Sequence, residues 1–322
     1  MAFYFFFLLV SLAVNLVTIV PFINILYSLK MQRAHQVTRD AFNKRTPIFD
    51  KFNAHKAGTP VGGGLLVLIN TMILFALCLM LYAFSSRVIT SNYANIESEI
   101  KVLLFTFVSF SFLGLYDDLK KMLVFESDVF HGLRVRHKLI LEIILALIIA
   151  YWMWAELKID IINIPFFGVF TLGMWYIPFA AFVIIAFSNA VNITDGLDGL
   201  AGGVLMISLA AFWVISGSIL DTPTLLFISI WMGGLMAFLY FNIPPARLWM
   251  GDTGALSFGA TFAVIGLLLG KSFALPIVGG VFVLELLSSA IQLLSKNIEV
   301  KRSFPLPPYI YGCNTLVGRR QR

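Results

Sequence analysis

Residues 223–270 read PTLLFISIWMGGLMAFLYFNIPPARLWMGDTGALSFGATFAVIGLLLG. Two apolar runs, 223–241 and 253–270, flank a short connection where Asn242, Arg247, Trp249 and Asp252 gather around two prolines. Each run is close to the ~20 residues that cross a ~30 Å hydrocarbon core as an α-helix, and neither contains a charged side chain. The pair therefore reads as a transmembrane hairpin with its polar turn at one membrane surface.

The same reading, carried outward, finds nine runs: 2–28, 61–84, 101–116, 139–156, 171–188, 201–219, 223–241, 253–270 and 274–295. Residues 160–170, with Pro165 and Gly168, read as a dipping or interfacial segment. Of the 322 residues 59% are hydrophobic and 12% charged, with a mean hydropathy of +0.90. A soluble domain carries about 25% charged residues, so the solvent for most of this surface must be lipid. The start of the chain lacks the basic region and cleavage site of a signal peptide and reads as an uncleaved first span. The fold class expected is all-α, a polytopic membrane helical bundle. Cys78 and Cys313 make neither a disulfide framework nor a zinc motif.

With the N-terminus outside, the inner loops are 29–60, 117–138, 189–200, 242–252 and 296–322, and they hold 19 of the 23 Lys and Arg. The formal charge of +6 is then the positive-inside bias of a membrane protein, and no nucleic-acid partner is expected.

Only 17 acidic residues occur, yet Asp117, Asp118, Asp195, Asp198 and Asp252 all fall at inner loop edges. At mid-bilayer each would cost about 2.5–3.5 kcal/mol on the insertion scale. At the surface that penalty mostly disappears, but repulsion remains if the loops converge. Converging carboxylates without a His/Cys set favour a hard cation, Mg²⁺ or Mn²⁺, held through one or two carboxylates with water and substrate phosphates. Singly, each feature has an ordinary reading. Asp117–Asp118 can be a solvated helix end, and Asp195 and Asp198 can be turn residues. Gly62–Gly64 can serve close helix packing, and Arg134, Arg136 and Lys138 can set topology. Trp249 can be an interfacial anchor, and His55 and His137 solvated. Their convergence on one membrane face supports a site.

At these residues the chain resembles the polyprenyl-phosphate N-acetylhexosamine-1-phosphate transferases, over residues 29 to about 300. The run Asn189–Gly199 and the turn Gly251-Asp252-Thr253-Gly254 are similar to all members. Three features resemble the branch that uses UDP-N-acetylmuramoyl-pentapeptide: Lys56-Ala57-Gly58-Thr59-Pro60, Asp117-Asp118 followed by Arg136-His137-Lys138-Leu139, and Gly279–Glu285 running to Gln292. The resemblance implies transfer of phospho-N-acetylmuramoyl-pentapeptide to undecaprenyl phosphate, giving lipid I and UMP, at the cytoplasmic face of the bacterial inner membrane. It implies Mg²⁺ on Asp252 with Asn192 nearby, and Asp117 acting on the lipid phosphate with Asp118 beside it. Asn189, Asp195, Asp198, Lys56, Asn242 and Gln292 would line the nucleotide-sugar site, Trp249 would stack on uracil, and Lys121 and Lys138 would answer phosphate charge. Membrane lipid is the surroundings, and a homodimer is suggested. The alternatives are a sister enzyme using UDP-N-acetylglucosamine, an inactive member, and a transporter. The last needs acids at mid-span, where only Glu142 and Glu285 lie.

The chain departs from the family in two places. Val61-Gly62 stand where Thr-Met is usual, and the His-rich loop and tenth helix are not found after residue 300. The expected division is a membrane transferase domain over 1–300 and an atypical basic tail over 301–322. Codons exist for residues 309–322 that, read two nucleotides later, encode HIWVQHFGWEETK, which is similar to the family's stretch before its tenth helix. A reading-frame slip is therefore expected. The nucleotide sequence should show a further apolar span in the shifted frame, and a stop codon directly after Arg322 with no such span in either other frame would refute it.

Overall fold

The computed structural model describes residues 2–32, 58–84, 89–123, 133 and 135–297, and for 122, 123 and 292–297 the backbone alone. Lys56, His55, Arg134 and the tail 301–322 lie outside the described residues, as does the side chain of Gln292. The elements are α1 (Ala2–Ser28), α2 (Gly63–Phe84), α3 (Ile96–Leu123), α4 (Val135–Ala155), β1 (Ile161–Ile164), β2 (Gly168–Thr171), α5 (Tyr176–Thr194), α6 (Leu200–Ser218), α7 (Thr222–Asn242), α8 (Gly251–Leu268), α9 (Leu275–Val278) and α10 (Gly280–Asn297).

Among the described residues eight helices, α1 to α8, are long and apolar enough to span a membrane. The chain is thus a multi-pass membrane bundle. The ninth run of the sequence instead breaks at Gly279 into α9 and α10. A Cβ at Gly279 would lie 2.8 Å from the Phe187 ring and 3.0 Å from the Leu275 carbonyl, so the backbone there is pressed against α5. Residues 160–170, expected as a dipping or interfacial segment, belong to an antiparallel hairpin, Ile161 opposite Thr171 and Ile164 opposite Gly168.

Helices α7 and α8 are the centre, and their walls are almost wholly covered by protein. Lipid tails are as apolar as Leu, so helices associate in a bilayer through close packing and hydrogen bonds rather than water exclusion. Both devices are visible. Glycines let backbones touch: a Cβ at Gly259 of α8 would sit 2.4 Å from the Phe187 carbonyl of α5, and one at Gly233 of α7 would sit 2.3 Å from the Leu8 carbonyl of α1. Between them Phe107, Phe227, Trp231 and Phe258 form an aromatic core with centroids 5.2–6.0 Å apart. On α1, Ser11 Oγ donates to the Ile230 carbonyl at 2.6 Å. Asn70 Nδ2 of α2 donates to Asn15 Oδ1 at 3.0 Å and to Thr18 Oγ1 at 2.9 Å.

At the end of the bundle away from Asp117 and Asp252, two buried carboxyls meet. Glu99 accepts from Ser91 Oγ (2.5 Å) and Thr224 Oγ1 (2.8 Å), and Asp221 caps α7 through the Thr224 N–H at 3.4 Å. Tyr93 joins α8 by donating its hydroxyl to the Leu268 carbonyl. Burial pushes the Asp221 carboxyl above the ordinary range, against its bond to the Thr224 N–H. A raised folded pKa favours the folded state at low pH, and that gain is lost as pH rises from the ordinary value of about 4 through the raised one. Asp221→Asn keeps a good cap and removes this titration. Thermal denaturation across pH should therefore give a shallower loss of stability for the variant, by up to about 1.4 kcal/mol per pH unit. Superimposable pH curves would show that Asp221 does not titrate as its burial requires.

Candidate active site

The i,i+4 spacing of Asp117 and Lys121 puts both on one face near the end of α3, and their side chains pair at 2.9 Å. Lys138 lies in the first turns of α4 and Asp252 in the first turn of α8. Lys138 Nζ reaches Asp252 Oδ2 at 2.7 Å and Asp117 Oδ2 at 3.5 Å, while Lys121 Nζ reaches Asp252 Oδ2 at 2.9 Å. Asp117 Oδ1 accepts the Leu133 N–H at 2.7 Å. Two ammoniums thus bridge two carboxylates from different helices, largely shielded from solvent. Such a pair survives burial only when both charges are answered; removing one partner typically costs about 3–5 kcal/mol.

Asp118 faces elsewhere. Its Oδ1 accepts the Asp252 N–H (3.1 Å), and its Oδ2 accepts the Thr253 N–H (2.9 Å) and the Thr253 hydroxyl (2.7 Å). A carboxylate of α3 therefore caps the start of α8, where the first N–H groups have no intrahelical acceptor and the helix dipole favours negative charge. The approach depends on glycine. A Cβ at Gly251, whose φ is +79°, would lie 2.8 Å from Asp118 Oδ2, and one at Gly114 would lie 2.2 Å from the Asp252 carbonyl.

A strap from the first loop holds the same helix start. The Gly62 and Gly63 N–H groups donate to the Trp249 carbonyl at 3.0 and 2.8 Å, Gly64 N–H donates to the Met250 carbonyl at 2.9 Å, and Trp249 N–H donates to the Pro60 carbonyl at 2.9 Å. The Trp249 ring is packed with Val61, against Met31 and Ala246, so it does not present an open face for stacking. Asn242 joins the next two loops, accepting the Gly199 N–H at 3.0 Å and donating to the Leu248 carbonyl at 2.9 Å. Asp198 Oδ2 accepts the Ala246 N–H at 3.1 Å. Asn189 donates to Glu142 Oε2 at 2.5 Å and to the Ile185 carbonyl at 3.0 Å. Asn192 and Asp195 are half-buried at the end of α5. Thr253, Leu133 and the strap's bonds to Trp249 were not singled out by sequence reasoning. Only Thr253 carried a signal, as a hydroxyl in the first turn of a helix.

Among the described residues no three His, Cys, Asp or Glu side chains are grouped to hold a metal. The donor chemistry that is present, two carboxylates and no soft ligand, suits a hard cation that takes only one or two protein ligands.

The sequence pattern of the family described as glycosyl transferase family 4 matches residues 100–270. The chain is 34% identical over 259 residues to a Clostridium perfringens (strain 13 / Type A) protein named phospho-N-acetylmuramoyl-pentapeptide-transferase, covering 80% of this chain and 76% of the relative. Proteins of the same name from Acetivibrio thermocellus (36% over 262 residues, 80% and 74% covered) and Leuconostoc citreum (36% over 253 residues, 79% and 75% covered) are similar too.

The chain belongs to glycosyl transferase family 4. The family match takes in both halves of the acid cluster, the run Asn189–Gly199 and the loop that carries Asn242 and Trp249. The strap 58–64 lies outside it, so in this family member the helix start that carries Asp252 is braced by a segment beyond the matched region. The division of labour between neighbouring aspartates is testable. Asp118→Ala leaves three donors at the α8 start without an acceptor, at about 1–3 kcal/mol each, whereas Asp118→Asn keeps one oxygen to accept from them. Thermal denaturation in detergent should show the first variant several degrees less stable than the second. If Asp118→Ala melts with the parent, the capping role is wrong.

Proposed function

We propose that this family 4 transferase moves phospho-N-acetylmuramoyl-pentapeptide from its UDP carrier to undecaprenyl phosphate, at the cytoplasmic face of the bacterial inner membrane. The observation that carries the reading is the paired Asp117–Lys121–Asp252–Lys138 cluster at one end of the bundle, in a chain similar over four-fifths of its length to relatives named for this transfer. The loops on that side hold most of the Lys and Arg, which supports a cytoplasmic orientation.

Phosphoryl transfer asks chiefly for positioning and for charge opposite the phosphates. An oxygen of the lipid phosphate attacks the sugar-linked phosphorus, a new P–O bond forms, and the bond to the bridging oxygen breaks so that UMP leaves. Lys121 and Lys138 already sit against carboxylate oxygens; incoming phosphate oxygens would take a share of those ammonium bonds. Asp117, fixed by the Leu133 N–H, would orient the acceptor phosphate, and Asp118 would act as a positioning residue through the α8 start. Asp252, with Asn192, would hold Mg²⁺, which supplies positive charge to the pyrophosphate when bound. Lys56, Asn189, Asp195, Asp198, Asn242, Trp249 and Gln292 are proposed to border the nucleotide-sugar side, Asn242 and Trp249 by shaping the loops. A homodimer is the proposed assembly.

The test offers purified protein UDP-N-acetylmuramoyl-pentapeptide and UDP-N-acetylglucosamine in competition for undecaprenyl phosphate. The pentapeptide substrate should be transferred, activity should vanish in EDTA and return with Mg²⁺, and Asp252→Asn should be folded but inactive. Preferred transfer of N-acetylglucosamine phosphate would assign the chain to the sister activity. Full turnover in EDTA would remove the metal.

A further inference from the structure

The hairpin β1–β2 lies at the end of the bundle opposite the acid cluster, because α4 and α5 both run between that cluster and the hairpin. Its tip residues Phe166 and Phe167 are exposed, as are Val169 and Phe170 on β2 and Met174 and Trp175 just beyond it. All four residues of β2 are exposed, so among the described residues none covers either face of that strand. From Ile161 to Thr194 no residue carries a charge. An isolated two-stranded hairpin is marginal in water even with a polar surface, and this one would set three phenylalanines and a tryptophan against it.

The surroundings indicate what covers it. The two ends of the hairpin are closed on each other, the Leu172 and Gly173 N–H groups donating to the Asp160 carbonyl at 2.7 and 3.2 Å, and the adjoining Ile159 N–H donates to the Met153 carbonyl of α4 at 3.1 Å. Close by, the exposed Lys101–Glu156 ion pair, with Lys101 over the Trp152 ring at 4.5 Å, marks the level where charged groups reach water or headgroups. The apolar surface of the hairpin continues into the lipid-facing sides of both flanking spans, through Ile144 and Tyr151 of α4 and Phe182 of α5. Aromatic rings without charge at this depth are what the headgroup–acyl boundary of a bilayer favours.

We infer that the β1–β2 hairpin is a lipid-binding element that lies back on the bilayer and inserts its Phe166–Phe167 tip into the leaflet opposite the acid cluster. Its partner is phospholipid at the glycerol and upper acyl level. It anchors the α4–α5 pair, and so the helices that bring Lys138 and Asn189 to the other surface. The inference rests on the membrane fold and on exposure, and holds whichever nucleotide sugar the protein uses.

The test uses the full chain with Cys78 and Cys313 replaced and one new cysteine, Phe167→Cys, carrying an environment-sensitive fluorophore. The protein is reconstituted into vesicles of phosphatidylethanolamine and phosphatidylglycerol. Phe170→Cys gives a second position should the first variant misfold, and Lys158→Cys reports a site near the water boundary. The emission at 167 should be blue-shifted and quenched about twofold or more by lipids spin-labelled near their carbonyls, while aqueous iodide quenches Lys158→Cys more strongly. Quenching at 167 by iodide as strong as at 158 would put the hairpin in water. Protection from both quenchers would mean that protein, such as a second copy, covers it. Either result overturns the proposal.

Discussion

The N–H groups of Asp252 and Thr253 begin a helix inside the bundle, and the carboxylate that receives them comes from α3. A helix start in such a place needs an acceptor, since an unpaired buried amide costs about 1–3 kcal/mol. Asp118 supplies it, but only because Gly114 lets α3 lie against the Asp252 carbonyl and Gly251 leaves room for the carboxylate. The same contact places Asp117, Lys121 and Asp252 within reach of one another. The cap and the charged cluster are two faces of one helix crossing.

That cluster is held at the edge of a low-dielectric region, where charges interact strongly and unpaired ones are costly. Lys121 and Lys138 each reach both carboxylates of the Asp117–Asp252 pair. Such sharing suits the proposed reaction, in which a phosphate oxygen entering the cluster would meet ammoniums already held in position. The Glu99–Asp221 pair at the opposite end contrasts with it. There Glu99 is answered by the hydroxyls of Ser91 and Thr224, and Asp221 by the Thr224 N–H, an arrangement suited to joining helices and poor at receiving anions.

The legible part of the fold came from run length and from where the charges fell. Among the described residues, the eight helices long and apolar enough to cross lie where the first eight apolar runs are, and the acids stand at their ends. Two elements have a local form that the sequence did not specify, for a physical reason. Residues 160–170 have too few residues to span and no charges, a composition shared by a dipping loop and by a short apolar hairpin; pairing of Ile161 with Thr171 is a long-range choice. At the break the Gly279 backbone lies against the Phe187 ring of another helix, and no periodicity within 274–295 reports on that contact.

The sequence by itself determined that this chain crosses a membrane many times and that its scarce aspartates stand at the ends of those crossings. Apolar length and charge scarcity are local properties, and the bilayer penalises any other arrangement. It also carried the family likeness that the relatives bear out. Only the tertiary structure decided what each aspartate does. Asp117 and Asp118 are neighbours in sequence, but adjacent residues on a helix point about 100° apart. One therefore meets two lysines and the other the start of α8. Which partner each finds depends on the helix that packs beside it, and that depends on glycines at backbone crossings far apart in the chain.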